Sequence, residues 1–289
     1  MNTHGIDAFI LAAGLGMRAR PLSLVRPKPL FPLGGVPLIR LLLDQLRQRQ
    51  VQRVFINLFY RGTEIRNALR DFAEVCFVEE KALSGSRILA IPRGKSPSPM
   101  LVVNGDVFLE IPLQAMWREY RRVPCDGVLL VRPRTAAAYS AVNGENGWYR
   151  GRTRGLNGHW GWMYCGAGLF SPRFTAAIRH GSLFDSLEQG AFRVRLLEYA
   201  GIWLDLGTPG LYHQAQFDYI DHAGLPGSAA WSGTSRVDKT AALCRSILWD
   251  KVEIGAATRL DNVVVADGVC LDNTSMHHRV ITMDTNAPL

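Results

Sequence analysis

Lysine is scarce in this chain. Of 33 basic residues only five are lysines (Lys28, Lys81, Lys95, Lys239 and Lys251), and the arginines are scattered rather than blocked. The formal net charge is +8. A nucleic-acid surface needs a clustered basic stripe with aromatic residues among it. None is visible, so no nucleic-acid partner is expected. The excess reads mainly as arginine-rich codon usage, with a secondary fit to phosphate-bearing substrates. Cysteine is also sparse: Cys76, Cys125, Cys165, Cys244 and Cys270 are odd in number and form no C-x-x-C pair. That excludes a disulfide framework and a thiolate metal site, and it fits reduced thiols. No apolar run approaches the length of a membrane span, so no membrane partner is expected. No charged region precedes an apolar one at the start, so no signal peptide is expected, and with the reduced thiols a cytoplasmic location is the expectation. The 289 residues are 47% hydrophobic, enough for one sizeable core and a smaller unit.

What is present concentrates in Leu11 to Pro32, LAAGLGMRARPLSLVRPKPLFP. It follows the apolar run Ala8-Phe9-Ile10-Leu11, a first buried strand. Ala12, Ala13, Gly14 and Gly16 are small, so backbone N–H groups there can approach an anion. Arg18, Arg20, Arg26 and Lys28 bring cations to the same turn. Pro21, Pro27, Pro29 and Pro32 predict an extended, irregular course instead of helix. Such a loop suits a polyphosphate held while something attacks it. Gly14 to Ala19 also fits the dinucleotide pattern G-x-G-x-x-A. That pattern must run directly into a helix, and Pro21 intervenes. Nor does the next strand, Val54 to Leu58, end in a ribose-binding acid.

Strand-like runs at Val54–Leu58, Val75–Val78, Met100–Val103 and Val128–Val131 alternate with helical spacing at Pro37–Gln50, Gly62–Ala73 and Leu113–Arg122. Alternation predicts a doubly wound, Rossmann-like α/β domain with ligands beyond the carboxyl ends of its strands. Asn104-Gly105-Asp106 closes one such strand. Asp106 is placed to hold a divalent cation, or it is a turn aspartate. In Trp203-Leu204-Asp205-Leu206-Gly207-Thr208-Pro209, Thr208 and Pro209 can cap and start a helix Pro209–His222, whereas Asp205 has no equally obvious structural task.

The string G-x-G-x-R-x-x-P-L-S-x-x-x-P-K-P-L-x-P, with Gly35-Val36-Pro37 behind it, resembles the sugar-1-phosphate nucleotidyltransferases. It is most similar to the bacterial branch holding mannose-1-phosphate guanylyltransferases and N-acetylmuramate-1-phosphate uridylyltransferases. The resemblance implies an NTP and a sugar-1-phosphate as substrates, with Mg²⁺ on Asp106 and Asp205. It implies that amides around Ala12, Ala13, Gly14 and Gly16 cradle the triphosphate. Arg18 would meet the leaving phosphates, and Lys28 the α-phosphate or sugar phosphate. Asn104 joins the nucleotide-binding set. Ser84 and Gly85 occupy the place of the base-binding loop, where Ser86 and Arg87 depart from the usual small residues. Gly166 would let the sugar approach a strand, although a strand glycine is as readily a bulge. The family's E-K-P segment is absent; Arg150, Arg152 or Arg154 are candidates for its cation. The departures also fit a regulatory paralogue that binds nucleotide-sugar without turnover.

Beyond the linker-like stretch from Ala223 to Ser228 an aliphatic register appears. Val237, Leu243, Leu248, Ile254, Leu260, Val265 and Leu271 follow in steps of 6, 5, 6, 6, 5 and 6. A period near six predicts a short left-handed parallel β-helix, through which copies would form a homo-oligomer. The expected division is 1–224 for the catalytic domain and 225–289 for linker and β-helix. Hexapeptide acyltransferases share the repeat but need a catalytic histidine between coils. His277 and His278 are expected past the last coil, which argues against acyl transfer.

Overall fold

The computed structural model describes residues 5–80, 98–134, 136, 139–153, 161–178, 183–225, 230–231 and 233–289. Two compact units are resolved by contact. The first comprises residues 1–14, 42–105 and 109–203; the second comprises 15–41, 106–108 and 204–289.

The first unit is built on a nine-stranded sheet. Strands Val75–Glu79, Val54–Leu58, Asp7–Leu11 and Met100–Asn104 lie side by side and parallel. Trp162–Phe170 is then inserted antiparallel, between Met100–Asn104 and Gly127–Pro133. The last of these is parallel to Val194–Glu198, after which the hairpin of Ala141–Glu145 and Trp148–Thr153 ends the sheet. The order reverses at Asp7–Leu11: the next strand of this sheet, Val54–Leu58, adds on one side, and Met100–Asn104 on the other. Sheets of this kind bind ligands beyond the carboxyl edge at such a reversal.

Both faces of the central strands are buried, which explains their near-continuous apolar sequence. Phe9, Phe55, Val102, Leu129 and Val131 pack with Phe174, Leu183 and Leu187 from the helices Pro172–Ala177 and Leu183–Gln189. The alternate residues Ala8, Ile10, Leu101, Val103, Val128 and Leu130 are equally buried. Helices also form at Leu38–Gln48 and Leu113–Arg122, where the apolar spacing put them. The expected helix from Gly62 is shorter than its pattern and stops at Ala68.

In the second unit, the loop expected to be extended contains three short helical turns: Met17–Ala19, Leu22–Val25 and Lys28–Leu30. The prolines bracket these turns. Pro21 and Pro27 are N-caps and Pro29 lies within the first turn, positions where the missing N–H has no helical partner to lose. Helix Pro209–His222 starts as the sequence indicates, with the Thr208 hydroxyl accepting the Leu211 N–H at 3.2 Å.

The end of the chain winds into stacked coils. Arg236 and Val237 pair in parallel with Glu253 and Ile254, which pair with Cys270 and Leu271. Leu243 pairs with Leu260, and Leu248 with Val265. Three of the five- or six-residue steps thus make one coil, and the coil is 17 residues long. Leu248, Ile254, Leu260 and Val265 form its buried core, with Val237, Leu243 and Leu271 packed against them. One expectation fails. Strand Ser275–Ile281 pairs in parallel with Arg259–Val265, placing His277 opposite Asp261 within the last coil. A run of polar residues hid this strand, because only Val280 and Ile281 on it are buried.

Candidate functional site

Within the second unit two residues singled out from the sequence, Lys28 and Asp106, form a pair, and two others, Arg18 and Asp205, stand beside Gly207. Lys28 is buried in the turn Lys28–Leu30, and its Nζ donates to Asp106 Oδ2 at 2.6 Å. Gly16 makes room for it. Its φ is +66°, and a methyl there would lie 2.9 Å from Ser23 Cβ and 3.3 Å from Lys28 Cγ. The Ser23 hydroxyl donates to the Gly16 carbonyl at 2.8 Å and closes the turn. Asp205 and Arg18 both lie beside Gly207. Asp205 is 9% exposed, and its Oδ1 accepts the Gly207 N–H at 2.7 Å. A methyl on Gly207 would lie 2.8 Å from Asp205 Oδ1 and 3.3 Å from both Asp205 Oδ2 and Arg18 Nη2. The Asp205 carboxylate and the Arg18 guanidinium therefore lie on the same side of Gly207. The Leu206 N–H donates to the Asp106 carbonyl at 3.2 Å and ties the two aspartates together.

In the first unit the chain leaves the carboxyl end of Asp7–Leu11 under restraint. The Ala12 N–H donates to Asn57 Oδ1 at 2.6 Å, while Asn57 Nδ2 donates to Glu80 Oε1 at 2.7 Å. Asn57 is buried within an otherwise apolar strand, and its partners explain its presence. It was missed in sequence, although a lone amide inside Val54–Leu58 was the available signal. Ala12 and Ala13 are buried, whereas Gly14 is exposed, with open space where a side chain would stand. Asn104 lies beside Leu11 at the same sheet edge. Ala167 stands opposite Val103, so Gly166 is at the level of Asn104. Gly166 has φ +88°, and the ladder to Gly127–Pro133 shifts register between Tyr164 and Gly168. A bulge therefore accounts for its being glycine.

Ser84 and Gly85, with Ser86 and Arg87, lie outside the described residues. Of the arginines weighed for the missing cation, Arg150 pairs with Glu145 at 3.0 Å, and Arg152 lies 3.5 Å from both Asp185 and Glu188. Arg154 is outside the described residues. Arg132 was not considered from sequence. It stands near the carboxyl end of Gly127–Pro133, and its buried Nε has no hydrogen-bond partner among the described residues.

Among the described residues no three or more His, Cys, Asp or Glu side chains converge as a complete metal site. The donors available are the two carboxylates, Asp106 and Asp205. Two hard oxygen donors suit Mg²⁺, which draws its remaining oxygens from phosphates and water.

Comparison with known proteins gives a family and a fold. A family model described as the MobA-like NTP transferase domain matches residues 8–226. An N-acetylmuramate α-1-phosphate uridylyltransferase of Neisseria meningitidis is 29% identical over 240 residues, covering 73% of this chain and 97% of the relative. A mannose-1-phosphate guanylyltransferase of Mycobacterium tuberculosis is 26% identical over 295 residues, covering 93% of this chain and 82% of the relative. Among solved structures, HddC from Yersinia pseudotuberculosis complexed with GMP-PN superposes with a TM-score of 0.61 at 20% identity, covering 74% of this chain and 99% of that one. At that identity the likeness speaks for the fold.

Proposed function

The chain belongs to the MobA-like NTP transferase domain family, and from that premise we propose that it joins an NTP to a sugar-1-phosphate, releasing pyrophosphate. A phosphate oxygen of the sugar-1-phosphate attacks the α-phosphorus in line. The bond from that phosphorus to the bridging oxygen breaks, and pyrophosphate leaves with the electron pair. The protein has little covalent work to do, so positioning and charge neutralisation carry the rate. The observation that carries this reading is the convergence, in one unit, of Lys28 on Asp106 and of Arg18 near Asp205. Lys28 would stabilise charge at the α-phosphate or the incoming sugar phosphate. Arg18, exposed beside Gly207, would take the leaving β- and γ-phosphates. The exposed amide at Gly14 would meet the triphosphate, with Ala12 fixed behind it by Asn57. Asn104 and Gly166 would face nucleotide and sugar, and Ser84 and Gly85 the base. Asp106 and Asp205 would hold Mg²⁺, which when bound supplies positive charge to the phosphates.

The best single assignment is mannose-1-phosphate guanylyltransferase. The relative of that name matches 93% of this chain, a share that must include part of the C-terminal coils, whereas the uridylyltransferase matches 73%. The uridylyl reading stays second because it spans 97% of the relative that carries it. The coils are read as left-handed, the hand of the hexapeptide repeat, and as the surface through which copies associate. Sedimentation of the purified chain should give an oligomer that dissociates when the coils are deleted; a wild-type monomer would overturn this role.

The deciding assay is pyrophosphate release with Mg²⁺ across four NTPs and the 1-phosphates of mannose, glucose, N-acetylglucosamine and N-acetylmuramate. Release is expected with GTP and mannose-1-phosphate. Release only with UTP and N-acetylmuramate-1-phosphate would shift the assignment to the second reading. Folded protein that binds nucleotide-sugar yet releases nothing would make it a regulatory paralogue.

A further inference from the structure

The segment carrying Lys28 is gripped from the C-terminal coils. Arg26, two residues earlier, donates from Nε to Asp267 Oδ2 at 2.6 Å and from Nη2 to Asp267 Oδ1 at 2.5 Å. The same Nη2 also pairs with Asp250. Its guanidinium lies 5.2 Å from the centroid of the Trp249 ring. On the other side of Lys28, Phe31 packs against Trp249 at 5.1 Å and Tyr212 at 5.2 Å between centroids. The Tyr212 hydroxyl donates to the Pro32 carbonyl at 2.8 Å and accepts the Trp249 indole N–H at 3.0 Å. Arg26, Phe31 and Pro32 are therefore all anchored, and Lys28 lies between the anchors.

The two acids hold equivalent places on successive coils. Leu248 pairs with Val265 in the ladder, so Asp250 and Asp267 each follow two residues later. The Asp250 N–H donates to Asp267 Oδ1 at 3.0 Å, and the Gly268 N–H to the Asp250 carbonyl at 3.0 Å. Stacked like charges oppose coil formation. Both acids also serve the coils, where Asp267 Oδ1 accepts the Asp250 N–H at 3.0 Å and Asp250 Oδ1 the Thr234 hydroxyl at 3.1 Å, and the cation the two share, Arg26, offsets their repulsion. Burial works against the charge on Arg26, but the hydrogen bonds and charges of Asp267 and Asp250 outweigh it and raise its pKa.

We propose that Asp250 and Asp267 are positioning residues for Lys28: through Arg26 they make the C-terminal coils part of the scaffold that sets the nucleotidyl-transfer site. This rests on the proposed reaction.

The test is the double variant Asp250→Asn/Asp267→Asn, assayed alone and combined with Lys28→Ala. Alone it should lose about tenfold to a hundredfold in kcat, with little change in KM for NTP. On the Lys28→Ala background the same change should cost nothing more, since residues acting through one another are not additive. Arg26→Lys, which keeps the charge but loses the fork, should fall between, and it serves if the double variant melts early. A readout free of turnover is the rate at which Lys28 is methylated by formaldehyde and borane, followed by mass spectrometry. It should rise severalfold when the clamp is cut. Wild-type turnover with an unaffected double variant overturns the inference, and so does a loss that adds fully to that of Lys28→Ala. Wild-type protein with no turnover overturns the proposed reaction instead, and Lys28 reactivity then decides the clamp: a rise in the variant supports it, and none removes it.

Discussion

Lys28→Ala should lower turnover by about a hundredfold or more while the chain still folds. The two halves of that expectation have different physical sources. Lys28 is only 8% exposed, and its ammonium meets Asp106 at 2.6 Å, so it is held in place before substrate arrives. A preorganised cation of this kind needs no reorganisation when charge builds up on a phosphate. A hundredfold loss corresponds to about 2.7 kcal/mol of barrier, within the range of a single such contact. Folding loses less. The Asp106 side chain is 34% exposed and can be hydrated when its partner goes. About 1 kcal/mol is the scale for an ion pair that is partly wet. Lys28→Arg should not restore the rate, because a planar fork replaces a compact charge in a turn already packed against Gly16. Pyrophosphate release and a thermal melt on the same preparation check both halves. A near wild-type rate in Lys28→Ala would remove the role assigned to it.

What the sequence made legible was what lies close along the chain. The Leu11–Pro32 loop shows itself because small residues, prolines and cations fall at fixed spacing within one stretch. The strands show themselves because both faces of the sheet are buried, which forces apolar runs such as Phe9-Ile10 and Leu101-Val102. The coil register shows itself because its inward residues recur at near-constant steps, and they do form that core. Most of what escaped depends on partners far away. Asn57 reads as an interruption of a strand until its bond to Ala12, 45 residues off, is seen. Arg26 reads as one more cation near the phosphates, yet its partner Asp267 is 241 residues away and holds it elsewhere. The prolines misled differently. Their fixed φ suits the start of a helical turn as well as an extended chain: Pro21 and Pro27 precede turns, and Pro29 lies in the first turn of one.

Asp205→Asn should also cost at least about a hundredfold in turnover, and here one substitution separates structure from charge. The Asp205 carboxylate has a structural task the sequence did not disclose: its Oδ1 accepts the Gly207 N–H at 2.7 Å, just ahead of the helix capped by Thr208. Asparagine keeps an oxygen of the same shape for that bond, so the turn and the Pro209–His222 helix should persist and the melting temperature should move little. What disappears is the negative charge that would stand beside Arg18 and, with Asp106, hold a divalent cation. The Mg²⁺ concentration needed for half-maximal rate should therefore rise along with the fall in kcat. Asp205→Ala provides the contrast. It removes both acceptor and charge, so it should lose stability as well as turnover, because a buried N–H is left unsatisfied. Were Asp205→Asn to turn over normally at the wild-type Mg²⁺ requirement, Asp205 would be a turn residue only, and the cation would have to rest on Asp106 without it.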